Sequence, residues 1–106
     1  MIEVFFYNTK RGFLKGFLIR GHANFAGCGS DIVCAGVSSA VSMCCNGILE
    51  LTDEKVFVIV KSGVVKLKTN SKEKVVQSFL KALKLQLTEL ESYYGENITL
   101  KSLEVF

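Results

Sequence analysis

Residues 31–51, DIVCAGVSSAVSMCCNGILEL, decide the fold of this chain. Val33, Val37, Ala40, Val41, Cys44, Ile48 and Leu51 recur at spacings of three and four, the repeat of one helix face. Ser30 or Asp31 stands where a side chain can cap the first free amides, so the helix is expected to open there. The residues between the apolar positions are mostly Ala, Gly, Ser and Cys, small enough for the helix to lie close against a sheet. Such a helix needs an apolar surface to cover, and the flanking sequence supplies it.

On the N-terminal side, IEVFFYN (2–8) alternates with Ile2, Val4 and Phe6 on one face. NTKRG supplies turn chemistry, and Gly12 can take the positive φ of a hairpin bulge. GFLKGFLIRGH (12–22) then reads as a second strand, with Phe13, Phe17 and Ile19 on one side, delivering His22 at its far end. On the C-terminal side, KVFVIVK (55–61), the turn Ser62-Gly63 and VVKLKT (64–69) form a second hairpin. Asn70 with Glu73 three residues later resembles a capping box. The helix it opens runs to about Tyr94, burying Val76, Phe79, Leu80, Leu83, Leu87 and Leu90, with Gly95 as its left-handed stop. NITLKSLEVF makes a fifth strand. The order β-β-α-β-β-α-β predicts an α+β two-layer sandwich, a mostly antiparallel sheet of about five strands with two helices. One domain, 1–106, accommodates all of it.

The composition is 49% apolar and 22% charged without a proline, which is globular and leaves no linker. Met1 leads into a strand pattern, with Glu3 where an apolar leader segment would begin. No apolar run approaches the roughly 20 residues of a membrane span. A cytoplasmic protein with reduced thiols is the expectation. The net charge of +3 comes from thirteen basic residues spread over both helices and most strands. A nucleic-acid footprint needs them clustered, so direct nucleic-acid binding is not expected.

Four reduced cysteines suggest buried thiols, a nucleophile or a metal site. Two of them, with the single histidine, lie in GHANFAGCGSDIVCAG (21–36), and the other two lie in the helix that follows. With Asp31 as N-cap, Cys34 falls on the first turn, where the helix dipole and free amides favour thiolate and could hold an oxyanion. The Asp31 carboxylate would oppose that thiolate unless backbone amides occupy it. His22 is the only imidazole that can serve as general base. The rival readings are a Cys34 that is an inert core thiol and a His22 that merely caps a strand end. Zinc held by His22, Cys28, Cys34 and Cys44 or Cys45 is a further rival, although the spacings are wider than those of structural zinc sites. Cys44 and Cys45 themselves read as small apolar packing residues, and the mechanism needs no cofactor.

Beyond these spacings, Gly21-His22-Ala23, a glycine-bearing loop, and Asp31-Ile32-Val33-Cys34-Ala35 followed by Ser38 resemble the ribosomal-processing cysteine proteases of bacteria, the Prp family. The resemblance runs over the whole chain. It implies a small sandwich that forms a homodimer and removes the N-terminal extension of a large-subunit ribosomal protein. It puts the nucleophile on Cys34 and its base on His22, with Asp31 and Ser38 in supporting positions. The uncharged loop Asn24 to Gly29 departs from the family pattern and bears on substrate preference. A non-catalytic ribosome-associated binding module of the same fold is the alternative function.

Overall fold

A computed structural model describes residues 1–21 and 28–106, apart from the side chains of residues 28–31. The elements are β1 (Ile2–Asn8), β2 (Leu14–Arg20), α1 (Cys28–Leu51), β3 (Phe57–Lys61), β4 (Val64–Lys68), α2 (Lys74–Tyr94) and β5 (Ile98–Glu104), in the expected order. They build one sheet, β3-β4-β2-β1-β5. Three of its pairings are antiparallel, and β5, brought round by α2, lies parallel to β1.

Register sorts the side chains. Val4 lies opposite both Ile19 and Leu100, and Phe17 lies opposite Phe6 and Leu67, so one sheet face is continuous apolar surface. The Phe6 and Phe17 rings meet at 6.0 Å and a tilt of 51°. Both helices cover this face, and Val33, Val37, Val41, Cys44 and Ile48 of α1 join Val76, Leu80, Leu83 and Leu87 of α2 in one core. At the β1–β2 turn Gly12 has φ +87°, as the bulge requires, and its N–H donates to the Thr9 carbonyl at 3.0 Å. Gln77 then acts as a short piece of strand. Its Oε1 accepts the Leu14 N–H and its Nε2 donates to the Leu14 carbonyl, both at 2.8 Å.

Four local expectations are corrected. The Asn70–Glu73 capping box does not form: Ser71 Oγ accepts the Glu73 N–H at 3.1 Å, and Thr69 Oγ1 accepts that of Ser71 at 3.0 Å. Gly95 is right-handed, φ −59°, because the Asn97 N–H turns back to the Tyr94 carbonyl and the chain runs straight into β5. The small residues of α1 make their closest approaches to α2 rather than to the sheet. A Cβ on Gly36 would sit 3.3 Å from a Leu90 methyl, and one on Gly47 would sit 2.5 Å from the Phe79 ring. Finally, Ile32–Leu51 is long and apolar enough by composition to cross a membrane, since its serines and glycines are only weakly polar. Its apolar stripe is buried in the core instead.

Candidate active site

Strand β2 ends at Arg20, whose Nε pairs with the Glu3 carboxylate at 3.2 Å. Gly21 follows at φ +94°, and its N–H donates to the Gly63 carbonyl at 3.0 Å. A Cβ there would lie 2.4 Å from the Met1 carbonyl oxygen. Only glycine fits this left-handed, crowded position. The chain is thus pinned between β1 and the β3–β4 turn immediately before His22. In the sequence the Gly21-His22 pair shows only as a motif, because the steric requirement for glycine comes from the Met1 backbone just before β1.

Across the six residues 22–27, α1 begins at Cys28. Val33 is fully buried and Val37 nearly so, which fixes the rotation of the helix about its axis. Cys34 therefore lies at the margin of the buried stripe, half-buried and packed against the core, with exposed Ile32 and Ala35 beside it. Ser38, four residues on, shares that side of the helix and is exposed. His22 and the side chains of Cys28 and Asp31 lie outside the described residues.

The helix start corrects one part of the chemistry. Ser30 or Asp31 was expected as N-cap, with Cys34 in the first turn. The helical backbone instead continues back through Cys28-Gly29-Ser30, making Cys34 the seventh residue. The free first-turn amides belong to residues 28–31, about 5–9 Å back along the axis from Cys34. Dipole effects fade within the first turn, so the free amides of this helix start lie too far back to hold an oxyanion beside Cys34.

The other two described cysteines are chemically quiet. Cys44 is fully buried and Cys45 nearly so. Burial, then the neighbouring Cys45, pushes the Cys44 thiol up to about 12, and burial also raises Cys45. The Cys44 Sγ donates to the Phe79 carbonyl at 3.6 Å. Helix geometry separates Cys34 from Cys44 by about 15 Å, too far to share one zinc ion. Among the described residues no cluster of three or more His, Cys, Asp or Glu is suited to a metal.

Comparison with known proteins matches this arrangement to one family. The family Cysteine protease Prp matches residues 1–99. The chain is 30% identical over 105 residues to the ribosomal processing cysteine protease Prp of Staphylococcus aureus, spanning 94% of this chain and 97% of the relative. The structure of S. aureus Prp in complex with a substrate peptide superposes with a TM-score of 0.90 at 27% identity, over 97% of this chain and all of the other. The complex of S. aureus Prp with a covalently linked product peptide gives 0.89 at 28% identity, with the same coverage. SMU.848 from Streptococcus mutans gives 0.87 at 30% identity over 99% and 96% of the two chains. An enzyme is indicated rather than a binding module that merely keeps the fold, and the chain belongs to the Prp family of cysteine proteases.

Proposed function

We propose that this protease removes the N-terminal extension of a bacterial large-subunit ribosomal protein, with Cys34 as nucleophile and His22 as general base. One observation carries the assignment. Of the three described cysteines, Cys34 alone is not buried, whereas Cys44 and Cys45 are closed into the core and burial raises their thiols. The substrate class rests on the S. aureus relative, named for ribosomal processing and known in complex with a substrate peptide.

The Cys34 thiol passes its proton to His22 as its sulfur attacks the scissile carbonyl. His22 then returns that proton to the leaving amine, and water releases the acyl-enzyme. The pinned Gly21 gives the base a fixed point of departure, which matters because the free amides of the helix start lie about a turn or more back from Cys34. Asp31 supports the site from the leading end of α1. Ser38, exposed one turn beyond the thiol, lines the approach to it.

The protein acts in the cytoplasm as a homodimer. Support for the dimer comes from the outer side of α1, which has no charged residue from Ile32 to Leu49 and exposes Ile32, Met43 and Leu49.

The test is mass spectrometry of the extended ribosomal protein after incubation with the parent enzyme or with Cys34→Ala. One cleavage site, produced by the parent alone, is expected. Equal cleavage by both would refute Cys34 as the nucleophile, and an intact substrate with a folded, reduced parent would refute the substrate.

A further inference from the structure

The thirteen basic residues are dispersed along the sequence, but the sheet gathers five of them on one surface. The face turned away from the helices is laid out in three rungs across the strands. The middle rung reads Ile59, Lys66, Leu18, Phe5, Lys101. The rung above it aligns Lys61, Arg20 and Glu3, and the rung below aligns Phe57, Lys68 and Tyr7. Five bases thus share these rungs with one acid, Lys15 and Lys55 balance Asp53 and Glu54 in the cavity beside Phe57 and Tyr7, and the other six bases stand against seven acids elsewhere. The molecule's positive excess is concentrated here. Among the described residues, Arg20 is the only one of the five in an ion pair, and it also lies 5.2 Å over the Phe5 ring.

We propose that this open sheet face is a docking surface for single-stranded RNA, a property beyond the proteolysis itself. Charge complementarity selects a polyanion. It also opposes a second copy, because two such faces stacked about 10 Å apart would repel. RNA is favoured over other polyanions because rings and cations interleave. Phe5 and Tyr7 are half-buried, and Phe57 at the edge is 60% exposed. A base can rest on a ring while a lysine on the adjoining strand, about 4.8 Å away, meets its phosphate. Lys66 and Lys101 bracket the face, three strand spacings or about 14 Å apart, so both contact one strand of RNA laid across the sheet.

The experiment is fluorescence anisotropy with a labelled oligouridine of about 12 nucleotides, a length within the usual site sizes. The parent should bind with a dissociation constant on the order of 1–100 μM near physiological salt. Engaging the four lysines should give a log–log salt slope of about −3. Lys66→Gln/Lys101→Gln should weaken binding about tenfold or more and bring the slope to about −1.4. Phe57→Ala should weaken it about fivefold with the slope unchanged. Lys74→Gln/Lys81→Gln removes the same charge from α2 and should stay within about twofold of the parent. Cleavage of an isolated peptide should be unaffected by all three variants, which separates this surface from the protease function. Equal weakening by the two lysine pairs would overturn the proposal, as would undetectable binding at roughly millimolar protein. So would tighter binding of polyglutamate or anionic phospholipid vesicles than of RNA, or a dimer that Leu18→Lys dissociates.

Discussion

The two halves of α1 between Ile32 and Leu49 are built from the same small, uncharged residues and behave in opposite ways. At the C-terminal end Cys44 is fully buried with its thiol turned to the Phe79 carbonyl, and Gly47 leaves no room for even a methyl group beside the Phe79 ring. At the N-terminal end Cys34 is half-buried, and Gly36 faces only the flexible end of Leu90. One end anchors the helix; the other leaves a sulfur within reach of solvent. Packing density, not residue type, separates an accessible cysteine from an inaccessible one on a single helix.

The strongest way to break this comparison is to exchange the roles of its two cysteines. Cys34→Ala should lower kcat/KM by at least about 10⁴-fold, because it removes the sulfur proposed to attack the substrate. Its urea midpoint should move by no more than about 1 kcal/mol equivalent, since the position is only half-buried. Cys44→Ala should do the reverse, keeping kcat/KM within about twofold while losing about 1–2 kcal/mol to the cavity it leaves. Cleavage of the ribosomal substrate and urea unfolding, measured on both variants, decide the matter. Substantial loss of turnover in Cys44→Ala with the fold intact would end the distinction between anchor and site.

Much of this was legible in the sequence because its signals are local. The 3–4 spacing from Val33 to Leu51 placed α1, the alternation of Ile2, Val4 and Phe6 placed β1, and the order of elements was enough to specify the layers. The motif around His22 and Cys34 pointed to the family. What escaped were features that depend on contacts across the fold. Neither Asn70 nor Gly95 reveals in isolation that Ser71 will take the Glu73 N–H or that β5 begins within three residues of Gly95. The start of α1 was misplaced because Ser30 and Asp31 are such good caps that the helical continuation through Gly29 left no signature. The basic sheet face is invisible until strand order is known, since Lys66 and Lys101 become neighbours of the same rung only through β2 and β1.

The two glycines sharpen the comparison at a smaller scale. Gly47→Ala forces its new methyl against an aromatic ring that is itself packed on the core, and should cost about 2 kcal/mol. For a chain of this size that is a fall in Tm of roughly 10 °C. Gly36→Ala meets a leucine methyl that can give by a few tenths of an ångström, and gains up to about 1 kcal/mol of helix propensity. Its net effect should lie within about 0.5 kcal/mol of zero. Thermal melts of the two variants side by side test this, and equal losses would mean that both ends of α1 are packed alike.

The smallest effect is the most specific, because it reads the burial of one thiol through pH. The folded Cys44 thiol is pushed up to about 12, whereas in the unfolded chain it titrates near 8.5. Above that lower value the unfolded chain sheds a proton that the folded chain keeps, so the unfolded state binds fewer protons and stability falls as pH rises. The contribution is intact below about pH 8.5 and is lost progressively toward about pH 12, with Cys45 shifted in the same direction. At pH 9 the loss from Cys44 amounts to about 1 kcal/mol. Lysines and tyrosines titrate in the same range, so the quantity to measure is the difference in urea midpoint between parent and Cys44→Ala at neutral and alkaline pH. That difference should shrink as pH rises, because the variant has no thiol at this position to lose its proton. A difference that stays constant would mean the Cys44 sulfur is already accessible in the folded protein, and the two ends of α1 would then differ far less than their packing implies.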